Sequence, residues 1–279
     1  MEASGVLIRP LRASDIPAAM RLKEAAGWNQ TEHDWRNLLE LEPEGCFVLE
    51  CDGVVASTAT CICYGRELAW IGMVLTAPEF RGRGFARRLM ERALEFLRAR
   101  GVAWIKLDAT DMGRPLYLKL GFQDEAPIER WAREPFAGPV EAPPVASGLA
   151  VEEALDREAF GADRRHVLQR LARWEAVSLP GAGYAMGRPG SIAFYFGPCV
   201  CRSPQAARSL LSYFLARHPQ QTVFWDILPG NRAALRLAEE FGFRRRRQLV
   251  RMVAPGAAGA PPLAHNDALV YGIAGFEYG

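Results

Sequence analysis

The sequence lacks any long apolar run. Across its 279 residues no segment nears the ~20 apolar residues that a membrane-spanning helix needs. Its first ten residues, MEASGVLIRP, hold nothing like the apolar centre of a signal peptide, so a cytoplasmic protein is expected. An excess of charge is missing too. Lys and Arg number 34 against 32 Asp and Glu, a net charge of +2, which argues against general affinity for nucleic acid or an anionic membrane. Histidine is scarce: His33, His166, His218 and His265 are scattered, and none lies near the paired cysteines at 61/63 and 199/201. No metal site is expected, because reduced cysteines in strand-like runs commonly pack as small buried apolar groups. Disulfides are not expected in that compartment either.

What the chain does have is an ordinary globular composition and a length suited to two domains. Its most distinctive stretch spans 70–101, WIGMVLTAPEFRGRGFARRLMERALEFLRARG. This reads as an apolar strand, a loop with two glycines, and an amphipathic helix carrying Leu89, Met90, Ala93, Leu94 and Leu97 at helical spacing. Arg81, Arg83, Arg87 and Arg88 crowd the helix start, where the macrodipole is already positive. That placement becomes favourable when free backbone N–H groups there hold an anion. Gly82 and Gly84 would let the backbone approach a phosphate closely.

Around this stretch the pattern predicts strands at 5–11, 46–51, 54–64 and 68–76. It also predicts a helix capped by Ser14 and a second capped by Thr31. A strand at 102–107, a short helix around Leu116 and a strand from Phe122 complete the first half. Residues 134–147, rich in proline and small residues, read as a linker. The second half predicts a strand near Leu149, a helix at 162–174, and strands at 183–186 and 191–200. A helix at 204–217, a strand at 222–227, a helix at 231–241 and a strand at 243–253 follow, then a loop at 256–262. The apolar stretch 268–279 is expected to be packed but is not assigned an element.

The two halves share a repeat. Thr110, Gly113, Leu116, Tyr117, Gly121 and Phe122 match Asn231, Ala234, Leu237, Ala238, Gly242 and Phe243 at identical spacing, each set after a predicted strand. The copies differ in two places. Tyr117 faces Ala238, and the glycine loop of the first half is replaced by Arg202-Ser-Pro-Gln-Ala206, with no glycine.

Arg81, Gly84 and Ala86, followed by Leu116, Tyr117, Gly121 and Phe122, resemble the signatures of the GNAT superfamily of acyl-CoA-dependent N-acetyltransferases. Thr110 stands where the family has asparagine and Gly113 where it has alanine. The resemblance covers about residues 5–134; the second half is similar only in the later motif, as in tandem members. It implies an α/β fold of two GNAT-like domains, each a mixed, mostly antiparallel sheet flanked by helices. Their limits would be 1–134 for the catalytic domain, 135–147 for the linker and 148–279 for a divergent domain without the phosphate loop. The resemblance further implies acetyl-CoA as co-substrate and no metal. Gly82, Arg83, Gly84, Phe85, Ala86 and Arg87, next to Arg81, would hold the pyrophosphate. Val74, Leu75 and Thr76 would bind the pantetheine arm, with Thr110 nearby and a Leu75 or Thr76 N–H facing the developing oxyanion. Tyr117 would protonate the departing thiolate, since a phenol stays protonated at neutral pH.

Asp108, Asp111 and Glu50 are the candidate bases, with a water relay as the alternative. Trp28, Asn29, Gln30 and His33 are the candidate acceptor contacts. The acceptor would be a small-molecule amine or a peptide, bound between the domains, in a monomer or homodimer. A dinucleotide-binding βαβ unit competes poorly, because Arg87 occupies its third glycine position and the loop after Thr76 is too long. Nucleic-acid binding through Arg244–Arg247 is disfavoured, because strand alternation divides those side chains between two faces. The remaining alternative is a non-catalytic acyl-CoA sensor.

Overall fold

The structure, a computed structural model, describes residues 5–136, 145–147 and 153–279. Its first half runs β1 (Val6–Pro10), α1 (Ile16–Ala25), α2 (Glu32–Leu41), β2 (Cys46–Cys51), β3 (Val54–Tyr64) and β4 (Leu68–Thr76). It continues with α3 (Phe85–Ala99), β5 (Trp104–Ala109), α4 (Arg114–Lys119) and β6 (Gln123–Arg133). The second half holds β7 (Ala146–Ser147), α5 (Glu153–Phe160), α6 (Arg165–Leu171), β8 (Glu175–Leu179), β9 (Gly183–Arg188) and β10 (Phe194–Cys201). After these come α7 (Pro204–Arg217), β11 (Val223–Ile227), α8 (Arg232–Glu240), β12 (Arg244–Pro255) and β13 (Val270–Gly272).

Most expected elements form where the apolar spacing places them. The helix expected at 162–174 forms as the shorter α6, and α5 before it has no counterpart in the sequence reading. Gly161, at φ +89°, ends α5, and α6 starts beyond Arg164, whose guanidinium turns back onto Asp156. Strand β8 has no counterpart in the sequence reading. The expected strand near Leu149 and most of the linker lie outside the described residues. Ser14 does not cap α1: Asp15 accepts the Arg12 N–H at 2.8 Å and is bridged by Arg9. Thr31 does start α2, through a reciprocal capping box with Asp34.

Among the described residues the strands form one thirteen-stranded sheet, mostly antiparallel, with helices on its faces. Helix α3 buries Leu89, Met90, Ala93 and Leu97 against Phe47, Ala59, Ile71 and Ile105 of the sheet. Helix α7 covers the second half in the same way with Leu210, Leu211 and Phe214. The halves exchange their last strands. Strand β12 lies between β5 and β6, and β6 pairs on its other edge with β11. Parallel pairing occurs once in each half, β4 with β5 and β10 with β11. All six cysteines are free, and the Cys199 and Cys201 sulfurs lie 3.8 Å apart in the apolar core.

Buried polar contacts lock the halves together. Asn29 accepts the N–H groups of Ile192 and Ala193, both at 2.9 Å, and donates to the Ala193 carbonyl at 3.0 Å. Arg188 reaches both Asp34, at 3.3 Å, and Glu277, at 2.8 Å. The C-terminal segment threads between the halves: Trp70 donates to the Phe276 carbonyl and Arg164 to that of Gly279.

Candidate active site

The site begins with an irregularity in β4. Thr58 pairs with Leu75 and Thr60 with Gly72, so Ala59 opposes two residues, Met73 and Val74. This is a β-bulge. Met73 sits at φ +50°, and the Thr58 hydroxyl donates to its carbonyl at 2.8 Å. Pairing of β4 with β5 stops at Trp70 and Lys106, and the strand ends beyond these residues splay apart. The Ala77 N–H donates to the Ala56 carbonyl, so alternation turns the Leu75 N–H toward β3 and the Thr76 N–H toward the gap. Of the two donors expected from the sequence, the geometry therefore favours Thr76.

A loop joins this strand end to α3. Gly82 and Gly84 adopt φ +76° and +77°, and a β-carbon on either would meet no heavy atom within 4 Å. The backbone there is open to solvent. Arg88 is the first residue of the turn to bond back, to the Gly84 carbonyl at 3.1 Å, so the earlier N–H groups are the orphan donors of a helix start. Arg87 pairs with Glu91 at 2.8 Å, whereas Arg81, Arg83 and Arg88 are exposed and form no ion pair among the described residues. Arg83 packs over the rings of Phe80 and Phe85. Open backbone, orphan donors and unpaired cations fit a pyrophosphate.

Tyr117 stands on α4, and in the turn leading into that helix the Thr110 hydroxyl oxygen accepts the Gly113 N–H at 3.3 Å. The Tyr117 ring lies against Gly113, where a β-carbon would come within 2.9 Å of the ring and 3.3 Å of its hydroxyl. Glycine in place of the family's alanine thus makes room for the ring. Burial alone pushes the phenol above its usual pKa, with no neighbouring charge opposing it. Among the described residues the hydroxyl makes no hydrogen bond, so its proton is uncommitted.

One pocket brings these parts together. Val74, Thr110 and Tyr117 line one side, and Trp28 and Gln30, from the loop between α1 and α2, line another. The second half supplies Arg247 and Leu249 from β12, with Phe276 and Glu277 from the C-terminal segment. Asn29 and His33 do not line it: the Asn29 side chain bonds Ile192 and Ala193 of the second half, and exposed His33 packs edge-on against Trp174 at 5.1 Å. Asp108 borders the pocket, but Arg251 holds both its oxygens, at 2.9 and 3.2 Å. Glu50 is bound to Arg9 and Asp111 is exposed; neither lines the pocket. Sequence reasoning missed Glu277, because the stretch carrying it shows no element pattern. Its carboxyl is buried, which pushes its pKa upward, and nearby Asp34 adds to the rise while Arg188 opposes it.

The second half reproduces the frame and closes it. The Phe122 N–H bonds the Tyr117 carbonyl, as the Phe243 N–H bonds that of Ala238, at 3.1 and 2.9 Å. Gly121 and Gly242 are both left-handed, so the shared Gly-Phe pair is the helix C-cap of α4 and α8. At the start of α7, however, the Ser203 side chain takes the Ala206 N–H. The gap beside β10 is filled by β13, which pairs with Cys199 and Val200. Asn231, the counterpart of Thr110, donates to the carbonyls of Ala268 and Val270 at 3.1 and 3.0 Å, fixing the chain that fills the gap.

A model described as "Acetyltransferase (GNAT) family" matches residues 16–122, and one described as "Acetyltransferase (GNAT) domain" matches residues 153–272. The chain carries two GNAT acetyltransferase domains. It is an acyltransferase of this class, which uses acetyl-CoA. "Uncharacterized N-acetyltransferase YitH" of Bacillus subtilis is 26% identical over 229 residues, covering 74% of this chain and 77% of that protein. "Uncharacterized N-acetyltransferase MJ1207" of Methanocaldococcus jannaschii is 29% identical over 115 residues, covering 38% of this chain and half of the relative.

Among solved structures, a putative acetyltransferase from Pyrococcus horikoshii shares the fold from end to end. Its TM-score is 0.86 at 24% identity, covering 100% of this chain and 98% of that one. A tandem GNAT protein from the clavulanic acid biosynthesis pathway shares it with a TM-score of 0.64 at 17% identity, covering 91% and 100%. No helix among the described residues is long and apolar enough to cross a membrane.

Proposed function

We propose that the first GNAT domain transfers an acetyl group from acetyl-CoA to a primary amine by direct attack in a ternary complex, with Tyr117 as general acid. The observation that carries this reading is the uncommitted, protonated Tyr117 hydroxyl, in one pocket with Val74 and Thr110 where β4 and β5 part. Acetyl-CoA supplies the activated thioester. The amine nitrogen attacks its carbonyl carbon, the C–S bond breaks with its electron pair on sulfur, the Tyr117 O–H protonates that sulfur, and the proton lost by the nitrogen passes through water to restore the phenol. The Thr76 N–H faces the gap, where it can bind the acyl oxygen or the pantetheine arm. Backbone donors from Gly82 to Arg87, with the unpaired arginines, hold the pyrophosphate.

The second domain binds no CoA in this reading, because its own β13 occupies the place of the pantetheine arm and Ala238 replaces the acid. Residues 1–134 are then the catalytic unit and 148–279 the wall of its acceptor pocket, tied together by the exchanged β6 and β12. Calorimetric titration with CoA and an acetylation assay over a panel of primary amines test both points. One CoA per chain and amine-dependent thiol release are expected. Two CoA per chain would overturn the assignment of the second domain. Tight acetyl-CoA binding that no amine ever turns over would leave the sensor reading instead.

A further inference from the structure

The basic run of β12 is not a uniform stripe. Arg245 pairs with Trp131 and Arg247 with Arg130, which leaves Arg246 as the extra residue of a bulge. Arg245 is bound by Glu129 at 2.9 Å and Arg246 by Glu134. The bulge re-aims Arg247 into the pocket, where it stacks over Phe276 with 5.2 Å to the ring centroid. There it forms no ion pair among the described residues, and its Nε is buried without a hydrogen-bond partner. The nearby carboxylate of Asp226 is already held by both nitrogens of Arg130, at 2.8 and 2.7 Å. Burial and the Arg130 charge together lower the Arg247 pKa to about 10, the mark of a cation that lacks compensation.

Elsewhere in the same pocket the polarity is reversed. The Gln30 amide nitrogen donates to Glu277 at 2.6 Å, leaving the Gln30 Oε1 buried with no partner. Glu277 adds a carboxylate whose two oxygens are held by Gln30 and, at 2.8 Å, by Arg188. Buried polar atoms are normally satisfied, so two orphans on one pocket, a donor and an acceptor, describe the ligand that would satisfy them.

We infer that the acceptor is an amine that also carries a carboxylate, an amino-acid-like molecule. Its carboxylate pairs with the Arg247 guanidinium, and its amine lies toward Gln30 Oε1 and Glu277. A planar guanidinium fork matches a carboxylate, and a charge-assisted pair in a buried site discriminates strongly against an uncharged analogue.

The inference rests on the acetyl-transfer reading, so the test has two arms. In the first, kcat/KM is measured with acetyl-CoA for glycine, β-alanine and L-leucine against their amides or matched decarboxylated amines. In the second, calorimetry measures binding of the same compounds to the full chain with CoA present. Acids are expected to exceed their uncharged partners by about 10- to 100-fold in both arms. In Arg247→Met that preference collapses toward unity, and Arg247→Lys recovers part of it. Unchanged acetyl-CoA affinity in Arg247→Met shows that the variant is folded. Equal turnover or binding of acid and amide overturns the inference, as does an Arg247→Met variant that keeps the preference. Selective binding of acids with no turnover upholds the anion site and removes the transfer reading instead.

Discussion

The backbone of Glu277 crosses β4 directly above Gly72, so that a β-carbon on Gly72 would stand 2.9 Å from the Glu277 Cα. That contact joins the C-terminal segment of the second domain to the central strand of the first. Gly72→Ala is expected to displace Glu277, raising the KM for the amine several-fold and costing about 1–3 kcal/mol of stability through overpacking. Urea unfolding and steady-state kinetics check it. Wild-type values for both would show that the segment yields freely.

Tyr117→Phe removes only the hydroxyl, which makes no other hydrogen bond among the described residues. Turnover is expected to fall by about 10²- to 10⁴-fold, the usual scale for a lost general acid. Acetyl-CoA affinity should stay at the wild-type value, because burial of the ring is preserved. An unaltered kcat removes Tyr117 as the acid.

The pH profile follows from the direction of the Tyr117 shift. An acid acts while protonated, and burial raises its pKa above the ordinary phenol value of about 10, so the phenol keeps its proton throughout the neutral and mildly alkaline range. The rate should therefore rise with pH as the acceptor amine loses its proton, with no Tyr117-dependent fall below about pH 10. A kcat profile of wild type beside Tyr117→Phe checks this. A descending limb between pH 7 and 9 that vanishes in the variant would contradict it.

Gly84→Glu probes the phosphate loop. A β-carbon meets no neighbouring atom there, so the fold should survive, at a cost of about 1–2 kcal/mol for the left-handed backbone. The added carboxylate would repel the pyrophosphate, and CoA affinity should fall at least about tenfold, a loss of about 1.4 kcal/mol. Unaltered affinity by calorimetry would move the cradle elsewhere.

Asn29→Ala tests whether the conspicuous loop before α2 serves structure. The change strands the N–H groups of Ile192 and Ala193, both now held at 2.9 Å. A loss of about 2–3 kcal/mol in urea unfolding is expected, with CoA affinity unaffected. Stability equal to wild type would return Asn29 to the list of candidate acceptor contacts.

The sequence alone determined most of the elements and the proposed cofactor end of the site. Apolar spacing placed α3 and α7. The two glycines and the misplaced arginines of 81–88 point to an anion cradle from the sequence alone. These are local signals: backbone conformation, helix period and capping chemistry depend on residues a few positions apart. The proposed acceptor end depends on pairings distant along the chain, which only the tertiary structure reveals. Exchange of β6 and β12 brings Arg247 beside the first domain, and a single-residue bulge overrides the alternation that would otherwise assign its face. The stretch 268–279 shows no period because it is neither a regular helix nor a long strand. It fills the gap beside β10, then passes over Gly72 to set Glu277 beside Gln30. Nor does spacing reveal that Asn29 is committed and Gln30 is not, because that difference lies in which partners the second domain presents to each.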